Sequence, residues 1–272
     1  MKQTFRLFWL MALPMVLGLV SCTSDNIDNP ASNSLAMKIQ GKWMVAETNG
    51  NPVVTNSKQV LTYVSDTKLY YSLSITAISD LNVWVNHCEG SYKVNGTTLE
   101  QLVELPDDNI KFSYHINVTS ITDDEMQTVT NNETFVNGQT HKITKDLKEL
   151  KVRVTDDYSD DIIGTWEGKL TSEQDTYSDG QLHRWEYKAD GTFVYYRQND
   201  QGEWIDDVNT MAEYFVDGTL LCMRWKNAGD DTEKRESWEI ASVENVKMKW
   251  TALRQKEDGS TYTTTFEMTK VK

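Results

Sequence analysis

Cysteine, proline, histidine and positive charge are all scarce in this chain. It has three cysteines in 272 residues, and no two of them form a Cys-x-x-Cys pair. That excludes a small fold framed by disulfides and the common structural zinc sites. The four histidines, His87, His115, His141 and His183, are scattered with no metal-ligand spacing, so each reads as a surface or strand residue. There is no Gly-x-Ser-x-Gly nucleophile elbow, no glycine-rich phosphate loop and no histidine matched to a plausible nucleophilic cysteine. The chain therefore reads as non-catalytic, with no cofactor and no metal. Lys and Arg total 27 against 41 Asp and Glu, a net charge of −14. Charge of that sign repels nucleic acid and anionic membrane surfaces, which excludes nucleic acid as a partner.

What the chain does have starts at its first residues. Lys2 and Arg6 precede an apolar run from Leu7 to Val20, and Leu19-Val20-Ser21-Cys22 follows. A basic start, a short apolar stretch and a small residue before a cut describe a secretory signal. A spanning helix would need about 20 apolar residues. With its cysteine, the segment resembles the lipobox of bacterial lipoproteins, which implies cleavage before Cys22 and a lipid anchor on its thiol. Two acyl chains there hold a protein stably at a membrane. Residues 1–21 carry Lys2, Arg6 and no acid, so their loss takes the net charge to −16. Thr23 after the lipid cysteine favours the outer membrane under the enterobacterial sorting rule. Ser24-Asp25-Asn26-Ile27-Asp28-Asn29 is similar to the acidic export tract of Bacteroidota surface lipoproteins, and residues 22–38 read as a flexible tether. Cys88 and Cys222 leave two readings open, one disulfide in an oxidising compartment or two buried thiols.

Beyond the tether the chain is written twice. Gly41-Lys42-Trp43 returns as Gly164-Thr165-Trp166. Tyr92-Lys93-Val94-Asn95-Gly96 returns as Tyr214-Phe215-Val216-Asp217-Gly218. The landmarks keep their offsets through Ser120 and Met126, matched by Ser242 and Met248, and a repeated unit fixes the architecture. Between the units, Asp156-Asp157-Tyr158-Ser159-Asp160-Asp161 reads as a solvated acidic linker. It lacks the spacing and central glycine of a calcium loop.

Inside each unit the period is two. Trp185 and Tyr187, then Phe193 and Tyr195, flank Ala189-Asp190-Gly191-Thr192. Asp-Gly between alternating aromatics is a strong hairpin signal. Leu221, Met223 and Trp225 alternate likewise, as do Trp238 with Ile240 and Met248 with Trp250. The one helical stretch that the pattern permits is a short piece from Thr144 to Leu150. Sheets this long with no helices to cover them close into barrels or split into sandwiches. The chain is therefore expected to be all-β: a signal peptide over 1–21, a tether over 22–38, one antiparallel up-and-down β-barrel over 39–155, a linker over 156–161 and a second barrel over 162–272.

These residues resemble the lipocalin-like members of the calycin superfamily, and in particular the lipocalin-like lipoproteins of Bacteroidota. Gly-x-Trp, then Tyr-x-Val-x-Gly-x-x-Leu, then a strand ending at Met carries the resemblance across nearly the whole chain. It implies that Trp43 and Trp166 plug the closed barrel ends, with Arg153 and Lys270 packed over their rings through cation–π contact. It leaves the ligand open, since a small barrel can be filled by its own side chains.

Aromatic residues are the lead to function. The second unit holds Trp166, Trp185, Trp204, Trp225, Trp238 and Trp250, while the first holds only Trp43 and Trp84. Three readings stand: a packed core, an inward pocket for a small apolar molecule or lipid, or outward rings that stack on sugars. The candidate ligand-binding residues are Trp185, Tyr195, Tyr196, Trp204 and Trp225, with Tyr196 and Trp204 as surface or rim positions. The favoured function is binding of a small apolar molecule in the second barrel. The alternative is a surface glycan- or protein-binding accessory with packed barrels.

Overall fold

The computed structural model describes residues 35–271 apart from 66, 79–80, 174–179, 207, 228 and 231. Cys22 and the segment around it lie outside these residues. Order begins earlier than the expected end of the tether, because residues 35–38 form a single helical turn and Leu35 is buried.

Among the described residues that follow, the regular elements are strands and two short 3-10 turns. The first unit comprises β1 (Gly41–Thr48), β2 (Asn51–Pro52), β3 (Gln59–Tyr63), β4 (Lys68–Ile78), β5 (Leu81–Asn95), β6 (Thr98–Leu105), β7 (Ile110–Ile121), β8 (Glu125–Val136) and β9 (Gln139–Val154). The eight longer strands pair antiparallel in sequence order, and β1 pairs with β9, so the sheet closes into a barrel. Closure leaves those strands no free edge. Residues 144–150, where a short helix is expected, belong to β9, which runs unbroken as a strand and ladders with both β8 and β1. Tertiary pairing on two sides outweighs a weak local pattern there.

The second unit repeats the plan with β10 (Gly164–Ser172), β11 (Leu182–Tyr187), β12 (Phe193–Gln198), β13 (Trp204–Asp206), β14 (Val208–Asp217), β15 (Leu220–Asn227), β16 (Glu233–Glu244), β17 (Lys247–Gln255) and β18 (Thr261–Val271). The Asp190-Gly191, Asn95-Gly96 and Asp217-Gly218 turns all fall between consecutive strands. Here the expectation of a second closed barrel is corrected. The sheet runs from β13 to β14 with no ladder joining β12 to β14. Among the described residues β14 is joined to the turn before β12, by the Thr192–Glu213 bridge and by the Tyr214 N–H, which donates to the Gly191 carbonyl at 2.8 Å. In the first unit the matching strands β4 and β5 are laddered from Lys68↔Ser91 to Ile78↔Leu81. The cause is local. The longer connection after β12 folds back as β13 and takes the edge of β12 at Tyr196, Arg197 and Gln198, so β14 cannot pair there.

The two units share a dry contact. Met44 and Val60 of the first pack with Phe215, Leu220 and Cys222 of the second, with Trp84 beside them. Trp84 meets Phe215 edge-on at 4.9 Å, and the Arg224 guanidinium lies 4.8 Å from its ring centre. Lys42 reaches across to Asp217 at 2.6 Å and Asp157 at 2.9 Å. Lys58 reaches Glu239 at 2.6 Å. Buried Asp217 is thereby paired, as a charge removed from water must be.

Candidate functional site

The Gly-x-Trp ends of the two units are built alike. The Trp43 indole N–H donates to the Ile39 carbonyl at 2.8 Å, and that of Trp166 to Ile162 at 2.7 Å. Both rings are fully buried. The Arg153 guanidinium lies 4.2 Å from the centre of the Trp43 ring, and the Lys270 ammonium 5.0 Å from that of Trp166. Gly41 and Gly164 have φ of +108° and +128°, and a Cβ there would stand 2.6 Å from Arg153 Nη1 and 2.7 Å from Lys270 Cε. Each plug therefore needs a glycine two positions before its tryptophan, to let the basic side chain pass. The two rings are sealed from solvent, while Arg153 and Lys270 above them are half-buried.

Above the plugs the two interiors differ. In the first unit polar side chains fill the space. Glu149 and Lys151 are paired at 2.6 Å, both nearly inaccessible. The Thr130 and Thr128 hydroxyls donate to Glu149 Oε2 at 2.7 and 3.2 Å. Tyr71 and Tyr114 face one another, hydroxyl to hydroxyl, at 3.4 Å. Burial pushes the Tyr114 phenol up to about 12 and raises Tyr63 and Tyr71 as well, so all three phenols stay neutral. A wider hollow of 710 Å³ on this unit is edged by Glu89, Glu104 and Lys111, whose side chains are all exposed. It is a solvated surface depression.

In the second unit the space above Trp166 is an aromatic chamber of about 200 Å³. Trp185, Phe193, Tyr195, Trp225, Trp238 and Phe266 line it, with Leu170, His183, Met223 and Glu236 between them. The strand register explains the gathering. Trp185 lies opposite both Trp166 and Tyr195, Trp225 opposite Lys234, and Trp250 opposite Phe266. Directly opposed residues share a face, so one inward row per strand stacks its rings. Trp185 is the hub, with Phe266 at 4.7 Å, Tyr195 at 5.1 Å and Trp250 at 5.2 Å between ring centres. Edge-on and tilted contacts of this kind add to apolar burial.

Two polar points interrupt the apolar wall. His183 Nδ1 lies 2.7 Å from the Tyr195 hydroxyl. Glu236 Oε1 accepts from Arg254 Nη2 at 2.7 Å, and the Arg254 guanidinium also covers Trp238 at 4.5 Å. Desolvation by burial lowers the Arg254 pKa, against the pull of Glu236. Among the described residues no three His, Cys, Asp or Glu side chains converge as a metal site would require.

The structure brings together three of the five candidate residues, Trp185, Tyr195 and Trp225. Tyr196 and Trp204, expected at the surface or rim, do not line the chamber. Tyr196 follows inward Tyr195 and opposes Arg184 and Asp206, so it faces outward. Trp204 is half-buried under the Arg184 guanidinium, 4.0 Å from its ring centre. Sequence reasoning missed His183, Phe193, Glu236, Trp238 and Phe266 as lining residues. Alternation carried a signal for two of them, since His183 and Glu236 each stand two positions before a Trp on its strand. Cys88 and Cys222 are both free thiols. Cys222 is buried at the contact between units, and burial pushes its thiol up to about 12.

No protein-family model matches this sequence, and no curated protein does. Three solved structures give partial alignments. One is a mutant of the vaccine antigen transferrin-binding protein B from Haemophilus parasuis, at 9% identity and a TM-score of 0.24, over 82% of this chain and 62% of that one. Another, from Bacteroides fragilis, carries a provisional description as an outer membrane protein and aligns at 14% identity and a TM-score of 0.21, over 87% and 99% of the two chains. The third, from Nitrosomonas europaea and provisionally described as an AttH, aligns at 8% identity and a TM-score of 0.22, over 91% and 98%.

Proposed function

We propose that this chain is a non-catalytic envelope lipoprotein, anchored through Cys22, whose second unit binds a small ring-bearing apolar molecule in a lipocalin-like fashion. The observation that carries the reading is the contrast between the two interiors. The first holds a buried Glu149–Lys151 pair with Thr128 and Thr130, whereas the second keeps a chamber of about 200 Å³ lined by six aromatic rings. Ligand sites are mostly apolar with a few placed polar groups, and His183 and Glu236 fit that description. The volume lies below the usual range for drug-sized ligands, which favours one or two fused rings over a whole lipid. The missing ladder between β12 and β14 lies beside Phe193 and Tyr195 and gives the wall freedom to yield. The glycan alternative would rest on Tyr196 and Trp204, and Arg184 already covers one of those rings.

Two measurements test the reading. The Cys22→Ala chain, purified from the bacterial envelope and examined whole by native mass spectrometry, is expected to carry a small-molecule adduct that Trp185→Ala loses. A bare mass, together with no uptake of added bicyclic aromatic compounds, would overturn the binder. Palmitate labelling in cells is expected for the wild-type chain and not for Cys22→Ala. Equal labelling of both would remove the anchor.

A further inference from the structure

The wall of this chamber is not made by the second unit alone. Pairing between β16 and β17 ends at Glu239↔Thr251, and beyond that point the strands separate. A 3-10 turn of the first unit, Thr55–Ser57, fills the gap. The Thr55 hydroxyl accepts the Leu253 N–H at 2.8 Å, and Asn56 Oδ1 accepts the Ser237 N–H at 2.8 Å. Two side chains from one unit thus stand in for the missing rungs in the sheet of the other, where unsatisfied backbone groups would be costly. Asn56 Oδ1 also accepts from Arg254 Nη1 at 2.6 Å, while Arg254 Nη2 holds Glu236 Oε1 at 2.7 Å. The chain of contacts runs from Asn56 through Arg254 to the carboxylate that faces the chamber.

We propose that the ligand of the second unit carries a hydrogen-bond donor, an O–H or N–H on its ring system, received by Glu236, and that Asn56 of the first unit is the positioning residue that holds this acceptor in place. The proposal rests on the binding reading above and names its ligand class. Glu236 is the one carboxylate in the chamber wall. Oε1 is engaged by Arg254, and Oε2 makes no hydrogen bond among the described residues, so it is available to a donor. A carboxylate accepts and does not donate, so a ring that carries only an ether or carbonyl has nothing to offer it. The Glu236 side chain is about a third exposed in the open chamber, and a ring seated there covers it, so a ligand without the donor leaves a covered acceptor unpaired.

The test compares 2-naphthol with 2-methoxynaphthalene, similar bicyclic rings with and without the donor, titrated calorimetrically into the whole Cys22→Ala chain near neutral pH. Wild type is expected to favour 2-naphthol by about tenfold or more. Glu236→Gln and Asn56→Ala should each bring that ratio close to one while both still bind 2-methoxynaphthalene, which shows that the chamber remains folded. Asn56→Asp keeps the acceptor for Ser237 and Arg254 and should restore the preference. Equal affinity of wild type for the two compounds would overturn the donor requirement. A preference lost in Glu236→Gln but intact in Asn56→Ala would overturn the role of Asn56. Failure of wild type to bind either compound would sink the binding reading itself, a separate outcome.

Discussion

At the scale of single residues, the sharpest contrast in the molecule is between the buried ions of the first unit and the rings of the second. Burial alone would raise the pKa of Glu149. The charge of Lys151 and the bonds from Thr130 and Thr128 act the other way and prevail, so its carboxyl lies below the ordinary 4.5. A folded-state value below the unfolded one means that the unfolded chain binds the proton first. The contribution of Glu149 is therefore complete above about pH 4.5 and is lost as pH falls through the lower, folded value. Lys151→Met inverts the sign: a buried carboxylate without its cation has its pKa driven up. The variant should lose about 3–5 kcal/mol near neutral pH and recover part of the deficit as pH falls toward about 5, while Glu149 takes up a proton. Thermal melts across that range check it, and a deficit that stays constant would show that Lys151 does not stabilise the charge of Glu149. The sequence held no sign of this pair. Glu149 and Lys151 sit among alternating Lys, Leu and Val in β9, where charged residues ordinarily face water. Trp43 and Trp166, by contrast, stand out in the sequence as the tryptophans of two repeated Gly-x-Trp segments, and their place at the barrel ends is what the lipocalin-like resemblance implies.

At the scale of elements, the seam between β12 and β14 separates two otherwise parallel plans. Tyr92 and Tyr214 occupy equivalent places, and their amides donate to the carbonyls of Thr67 and Gly191 at 2.9 and 2.8 Å. One pleat further from the closed end, Gly90 lies in the β4–β5 ladder opposite Leu69. Ala212 is its counterpart and has no partner strand on the seam side. Its N–H points the same way as that of Tyr214, since alternate residues of a strand direct their amides to the same neighbour. Hydrogen exchange on the native chain should thus find the Ala212 amide exchanging at least about a hundredfold faster than that of Gly90, in keeping with local opening at low cost. Equal protection would mean that the seam is laced in solution. Strand identity was largely readable from the period of two and from the Asp-Gly and Asn-Gly turns. The seam was not, because it depends on β13, three residues whose pairing with β12 is decided by the length of the preceding turn and not by its own pattern. The same limit applies to residues 144–150, where the neighbours β8 and β1 outweigh the local sequence.

At the scale of the whole molecule, the two units are not beads on a string. The Asp156–Asp161 stretch reads as a solvated spacer, and part of it is solvated. Asp157, however, accepts an ion pair from Lys42, and Tyr158 donates its N–H to the Gly218 carbonyl at 3.0 Å. The Gly218 turn itself fits closely against the first unit, since a Cβ there would stand 2.6 Å from Val154 Cγ1. Composition could not reveal this contact, for its apolar residues Met44, Val60, Phe215 and Leu220 sit on the faces that alternation assigns to solvent. Viewed one unit at a time, they are the wrong residues on the outside. Cys222 offers a reporter on whether the units part. It is inaccessible at the contact, 3.5 Å from the Ser237 hydroxyl, and burial holds its thiol protonated, so two independent effects suppress its reaction. Cys88 is partly exposed. In the native chain a maleimide should label Cys88 readily and Cys222 at least about a hundredfold more slowly. Lys42→Met takes the lysine from Asp217 in the contact and leaves it only the His87 ring, 3.6 Å away, which favours separation by up to about 3–5 kcal/mol, and should speed the labelling of Cys222 while leaving Cys88 unchanged. If Cys222 in that variant stayed as slow as in wild type, the contact would be held by its apolar residues alone. If both thiols accelerated together, the whole chain would be unfolding. Only a selective gain at Cys222 would show that the units separate as intact bodies, which is the motion that would withdraw Asn56 from Arg254 and open the chamber wall.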